Sequence, residues 1–248
     1  MPPIILTNTH IKLRIQPDAE AVANAAAQMI FERADQSQDR FSICLSGGST
    51  PKTLYQILAS SLYSQRFPWK RVHWFFGDER FVSQDDAMSN FKMVREAMFD
   101  HVPIPEENIH AVNTSYPTAA EAAFDYEKRL QAFYGSEQLL PDKPIFDYTL
   151  MGMGDDGHTA SLFPGTEVLN ETVKWCDAVC GVKAEDRITL TYPVLNSSRV
   201  MMFLVASANK RPVLTKIVGG DKSYPAARVK PWGELIWLVD QEAAPTSD

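Results

Sequence analysis

The chain has 248 residues, 45% of them apolar and 22% charged, which is enough for one large α/β domain or two small ones with a sizeable buried core. Its formal net charge of −7 argues against bulk nucleic-acid or anionic-membrane binding, so any anionic ligand must be met by locally placed Arg, Lys or backbone N–H groups. The N-terminus carries no secretory pattern and no run of 18 apolar residues exists; with three cysteines and no CxxC pair, the expectation is a cytoplasmic protein of a reducing compartment without a zinc site.

Short apolar, β-branched or aromatic runs predict strands at Ile11–Ile15, Phe41–Leu45, Val72–Phe76, Phe146–Met151, Ile188–Thr191, Val200–Val205 and Leu235–Val239. Helical patterns lie between them at Asp18–Ala34, Pro51–Ser60, Asn90–Phe99, Ala119–Tyr134 and Asn209–Val218. Several strands are apolar almost throughout, as expected when helices cover both faces of a sheet. The alternation predicts an α/β three-layer sandwich with a mostly parallel sheet. Arg187–Thr191 alternates instead, which suits an edge or antiparallel addition. Without a repeat or long linker, residues 1–248 are expected to form one domain, with residues 242–248 a frayed tail.

Three strands run into glycine followed by polar groups. Ser46-Gly47-Gly48-Ser49-Thr50-Pro51 sits between a strand and a helix, with Thr50 the expected N-cap and Pro51 the first helical residue. Free N–H groups and the positive end of a helix dipole make an anion site suited to one phosphate. The Lys-Ser/Thr ending of a nucleotide P-loop is missing, and Pro51 replaces the second glycine of a nucleophile elbow. Gly77-Asp78-Glu79-Arg80 follows the next strand, and Ser89-Asn90 reads first as a helix cap, with a site role second. Gly152-Met153-Gly154-Asp155-Asp156-Gly157-His158 follows the third. It matches G-x-G-x-x-G, but Asp155 and Asp156 would repel a pyrophosphate and Pro164-Gly165 cut short the helix a dinucleotide needs.

Asp156 and His158 share one loop two residues apart, so the carboxylate can hold one ring nitrogen and leave the other for proton transfer. His10, His73, His101 and His110 have no comparable setting and read as structural or surface residues. Arg187 opens the alternating segment and Lys210 starts a helix in Ser207-Ala208-Asn209-Lys210; with the Ser46–Thr50 loop they could neutralise a phosphate.

Taken jointly, Ser46–Pro51, Gly77–Arg80 with Ser89-Asn90, Gly152–Pro164, Arg187–Thr191 and Ala206–Lys210 resemble the 6-phosphogluconolactonases of the pentose phosphate pathway. The most specific piece is Asp156-Gly157-His158-Thr159-Ala160-Ser161-Leu162-Phe163-Pro164. Related glucosamine-6-phosphate deaminases continue into an Asn-Glu-Pro segment and carry Asp-Glu-Tyr where this chain has Asp78-Glu79-Arg80. The resemblance implies a sugar-phosphate isomerase/deaminase-like (Rossmann-like) fold. It also implies hydrolysis of 6-phospho-D-glucono-1,5-lactone without metal or organic cofactor, the second step of the oxidative branch. On that footing His158 is the acid/base, Asp156 orients it, and Ser46, Gly47, Gly48, Ser49, Thr50, Arg187 and Lys210 hold the phosphate. Arg80 is the candidate for the oxyanion, and Asp78 is expected to contact sugar hydroxyls or position Arg80. The expected partner is a phosphorylated sugar lactone, with no nucleic acid and no membrane. Two rivals remain open: an aldose–ketose isomerase or deaminase using Asp78, and a non-catalytic sugar-phosphate sensor.

Overall fold

The computed structural model describes residues 4–6 and 12–246. Strand β1 (Ile4–Leu6) is followed by β2 (Lys12–Gln16), and Asp18 caps helix α1 (Ala19–Gln36) by accepting from the Ala21 N–H at 2.8 Å. Then come β3 (Phe41–Leu45), α2 (Ser49–Ala59), β4 (Val72–Phe76), β5 (Asp78–Arg80) and α3 (Asn90–Ala97). The middle of the chain forms β6 (Ile109–His110), α4 (Ala119–Tyr134) and β7 (Phe146–Met151). It closes with β8 (Cys176–Val179), β9 (Arg187–Leu190), α5 (Tyr192–Asn196), β10 (Ser198–Val205), α6 (Arg211–Val218) and β11 (Glu234–Asp240). The strand expected at Ile11–Ile15 starts one residue later, and Ile11 itself, like His10, lies outside the described residues.

The main sheet has the order β1-β2-β11-β10-β7-β3-β4-β6. Seven strands are mutually parallel and β1 is an antiparallel edge. Both faces are covered, which explains the unbroken apolar runs. On β4, Trp74 packs against Phe67, Trp69 and Phe99, and Phe76 against Phe91 of α3. The intervening Phe75 points the other way, to Phe133 of α4 and Phe146 of β7. Period-two alternation therefore separates two apolar environments rather than core from water.

A second, antiparallel sheet of order β5-β9-β8 adds to this frame, so the alternating Arg187 segment pairs outside the main sheet. The frayed tail expected over residues 242–248 is corrected at Ala243 and Ala244, which are buried with N–H groups bonded to Asp240 at 2.7 and 3.0 Å, and residues 247 and 248 lie outside the described residues. The Asp240 carboxylate is the physical reason: buried, it needs donors and takes the Ala243 N–H, while the Ala244 N–H closes a turn on the Asp240 main-chain carbonyl. Among the described residues, no helix is long and apolar enough to cross a membrane.

Candidate active site

The chain runs from β3 outward to β4 and β6, then returns to β7 on the opposite side of β3 and continues to β10. The strand order therefore reverses between β3 and β7, and at such a reversal the loops leaving the strand ends part and open a crevice. The loops after β3, β4, β7 and β10 all leave one edge of the sheet and enclose a cavity of about 350 Å³. That volume is at the small end of the usual range for ligand sites.

The wall after β3 is built by glycines. Gly48 sits at φ +110° and is itself the N-cap of α2, so the expected cap at Thr50 and first helical residue at Pro51 are corrected: the helix starts at Ser49. A Cβ is disfavoured at that φ, and glycine lets the chain turn two residues earlier. The first helical bond runs from the Lys52 N–H to the Gly48 carbonyl at 3.0 Å, which leaves the Ser49 and Thr50 N–H groups without an intrahelical partner at the cavity edge. Tyr55 reaches back from α2 with its hydroxyl on the Ser46 N–H at 3.0 Å and the Ser46 carbonyl at 2.7 Å, fixing the loop. Gly47 is required by close approach: a Cβ there would lie 2.3 Å from Asn90 Oδ1.

Asn90 belongs to the second wall. The Glu79 carboxylate, 1% exposed, accepts from the main-chain N–H groups of Arg80, Asn90 and Phe91 at 2.7–2.8 Å and from Ser89 Oγ at 3.2 Å. Burial pushes its pKa up and those donors oppose the rise. It locks β5 onto the start of α3, where Ser89 is the cap the sequence suggested. Arg80 and Asp78 then line the cavity from β5. Arg80 Nη1 donates to the Met88 carbonyl at 2.5 Å, and Asp78 accepts from Ser161 Oγ at 2.7 Å.

The third wall is the loop after β7. Its turn is closed by Gly154 N–H to the His158 carbonyl at 2.8 Å and Gly157 N–H to the Gly154 carbonyl at 3.0 Å, with Gly157 at φ +75°. Asp156 Oδ1 accepts from the His158 N–H at 3.1 Å and lies 2.5 Å from His158 Nδ1. Burial pushes the Asp156 carboxyl up, but the His158 N–H, ring bond and charge outweigh it and hold the group below its ordinary 3.8. An ionised Asp156 makes Nδ1 the protonated nitrogen, which leaves the Nε2 lone pair free at the cavity. Phe163 packs on the ring with centroids 4.7 Å apart.

The fourth wall follows β10. Ser207 adopts φ +85° and its N–H bonds the buried Asp240 carboxylate at 2.9 Å, which turns Lys210 toward the cavity. The Lys210 ammonium is bonded to Asp155.

Ser46, Gly47, Gly48, Ser49, Thr50, Asp78, Arg80, His158 and Lys210 thus meet at one cavity, with Asp156 behind the imidazole. Arg187 does not join them: its side chain is 9% exposed, it pairs with Glu185 at 3.4 Å, and every residue of β9 is buried. The register sets Arg187 directly opposite Arg80, so the two share one face of the small sheet, and Arg187 stands beside the wall that Arg80 lines. Asn90, Thr159 and Ala160 also line the cavity. The sequence points to a cap first and a site role second for Asn90, and to no role for Ser161; the contact of Asn90 with the glycine loop and the Ser161–Asp78 bond are tertiary, and no local spacing signals them. Among the described residues, no group of three or more His, Cys, Asp or Glu is placed to hold a metal ion.

Residues 17–237 match the family model described as glucosamine-6-phosphate isomerases/6-phosphogluconolactonase. A 6-phosphogluconolactonase of a Nostoc species is 43% identical over 240 residues, covering 93% of this chain and 96% of the relative. One from a Synechocystis species is 44% identical over 205 residues, 82% of each chain. In solved structures, a 6-phosphogluconolactonase from Thermotoga maritima superposes with a TM-score of 0.77 at 31% identity, over 93% of this chain and 99% of that one. A monomeric glucosamine-6-phosphate deaminase, 18% identical with a TM-score of 0.78 over 94% and 98% of the two chains, shares the fold.

Proposed function

Since the chain belongs to the family of glucosamine-6-phosphate isomerases and 6-phosphogluconolactonases, we propose that it hydrolyses 6-phospho-D-glucono-1,5-lactone to 6-phospho-D-gluconate. It is a lactone hydrolase, as its relatives of 43% and 44% identity are named. The observation that carries the reading is the Asp156–His158 pair, which faces the start of α2 and Lys210 across one cavity.

Lactone opening needs an activated water, a stabilised tetrahedral oxyanion and a proton for the departing ring oxygen. His158 Nε2 takes a proton from water as the new O–C1 bond forms, and the carbonyl electron pair moves onto oxygen. As that pair returns, the bond from C1 to the ring oxygen breaks and the imidazolium delivers its proton there. Asp156 keeps the protonated nitrogen on the far side of the ring and stabilises the imidazolium. The Arg80 guanidinium is the cation assigned to the oxyanion. The Ser49 and Thr50 N–H groups and Lys210 take the phosphate. Lys210 is the cation of that subsite on the cavity wall, and Arg187 stands beside Arg80 and Glu185.

Disappearance of freshly made 6-phosphogluconolactone, corrected for spontaneous hydrolysis, tests the reading directly. Catalysed loss of the lactone is expected. Failure to accelerate it, together with ammonia release from glucosamine 6-phosphate, would move the chain to the deaminase branch.

A further inference from the structure

At the mouth of the cavity an ion pair stands that the hydrolytic scheme does not use. Lys210 Nζ is bonded to Asp155 Oδ1, and Asn209 Nδ2 donates to the same oxygen at 2.9 Å. Ser207 Oγ donates to Asn209 Oδ1 at 2.9 Å, so the loop after β10 is tied to the loop after β7 through one carboxylate. The Asp155 side chain is 65% exposed and that of Lys210 only 22%. The Lys210 bond, with help from Asn209, holds the Asp155 carboxyl below its ordinary value, so it is ionised at neutral pH. Of the two cations on the cavity wall, one therefore faces a permanent internal anion.

A phosphate arriving at Lys210 must share the ammonium with that carboxylate or displace it. An ammonium has three donors, so sharing is geometrically allowed, but it sets a dianion and a carboxylate against the same nitrogen. The exposed carboxylate has water to turn to. The phosphate has the Ser49 and Thr50 N–H groups as additional partners. We infer that Asp155 sets the affinity and selectivity of the anion subsite: its carboxylate occupies Lys210 until a phosphate dianion displaces it, and weaker anions do not. This rests on the reading that Lys210 holds the substrate phosphate.

The test is Asp155→Asn, which keeps an oxygen acceptor for Lys210 and Asn209 and removes only the charge. At the water-like dielectric of so exposed a group, relief of the repulsion should lower KM for the phosphorylated lactone roughly 3–10-fold. Inhibition by inorganic phosphate should tighten by a similar factor. The ratio of kcat/KM for phosphorylated over unphosphorylated lactone should rise, and the gain should shrink with added salt. An unchanged or raised KM with unchanged phosphate inhibition would overturn the inference, since Asp155 would then be inert or would aim Lys210. Lys210→Ala separates this from the underlying reading. It should cut kcat/KM for the phosphorylated lactone roughly 10–150-fold, the loss of one charge-assisted hydrogen bond. If Lys210→Ala leaves that value intact, the phosphate assignment itself fails. If it lowers the value while Asp155→Asn changes nothing, only the role of Asp155 fails. In the double variant the effect of Asp155→Asn should vanish.

Discussion

Replacing Gly154 by alanine should disable the catalytic pair without unfolding the chain. Gly154 lies outside the left-handed region, so its backbone accepts an alanine and only space is contested. The added Cβ would stand 2.1 Å from His158 Nδ1, 2.2 Å from Cε1 and 2.8 Å from Asp156 Oδ1. Ordinary contact begins near 3.4 Å, so the imidazole must retreat by more than 1 Å. It retreats against Phe163, whose ring centroid is 4.7 Å from its own. The 2.5 Å bond to Asp156 cannot survive that shift. Misplacing a reacting group by about 1 Å costs roughly 10²-fold, or about 2.7 kcal/mol of barrier. Initial rates on freshly made 6-phosphogluconolactone should show kcat down by that factor with KM nearly unchanged, since the α2 start and Lys210 are untouched. Gly152→Ala is the control in the same motif, because its nearest neighbour would be Ser46 Oγ at 3.6 Å. A folded Gly154→Ala enzyme with normal kcat would refute the argument that the ring must sit where it does.

Arg80→Met should lower kcat by about 10²–10³-fold if the guanidinium meets the oxyanion; a rise in KM alone would move Arg80 to the phosphate. Glu79→Ala strips the acceptor from the N–H groups of Asn90 and Phe91 and from Ser89 Oγ in a buried setting, and should cost about 2–4 kcal/mol in denaturant unfolding. An unchanged midpoint would show that α3 needs no such cap. Burial first, then His73 and Arg129, depress His110 from 6.5 to about 4. Because the folded value is the lower one, the unfolded chain takes up the proton first, and stability present above pH 6.5 is lost as the pH falls toward 4. His110→Phe, which keeps the stack on Phe75, should therefore show a smaller loss of stability between pH 7 and pH 5 than the parent; an equal loss would mean that His110 does not titrate in this way.

How far the sequence could be read depended on the range of the interactions involved. β3, β4, β7 and α4 fall on the residues that their apolar runs and helical pattern indicate, because a doubly covered strand and a helix with one apolar face are locally encoded. β5, β6 and β8 are two to four residues long, below the length at which a period can show. They exist because partners from distant segments complete them. The start of α2 was misread by two residues, since a glycine N-cap at positive φ competes with a better-known capping residue nearby. At the site, the Asp156–His158 pair was legible because both residues lie on one tight loop. Arg187 is not among the lining residues but stands opposite Arg80 and next to Glu185, a placement set by the pairing of β9 with β5 that no local spacing signals. Asn90 against Gly47, Ser161 on Asp78 and Glu79 under α3 are contacts between segments far apart in the chain, visible only once the strand ends converge.

The most direct test of the central claim is the turnover number of His158→Ala on 6-phosphogluconolactone, measured against the spontaneous rate with folding checked by circular dichroism. The account predicts a folded protein whose kcat is lower by about 10²–10⁴-fold, the range for a lost general acid/base, with KM close to that of the parent. A folded variant that turns over within a few-fold of the parent would contradict it.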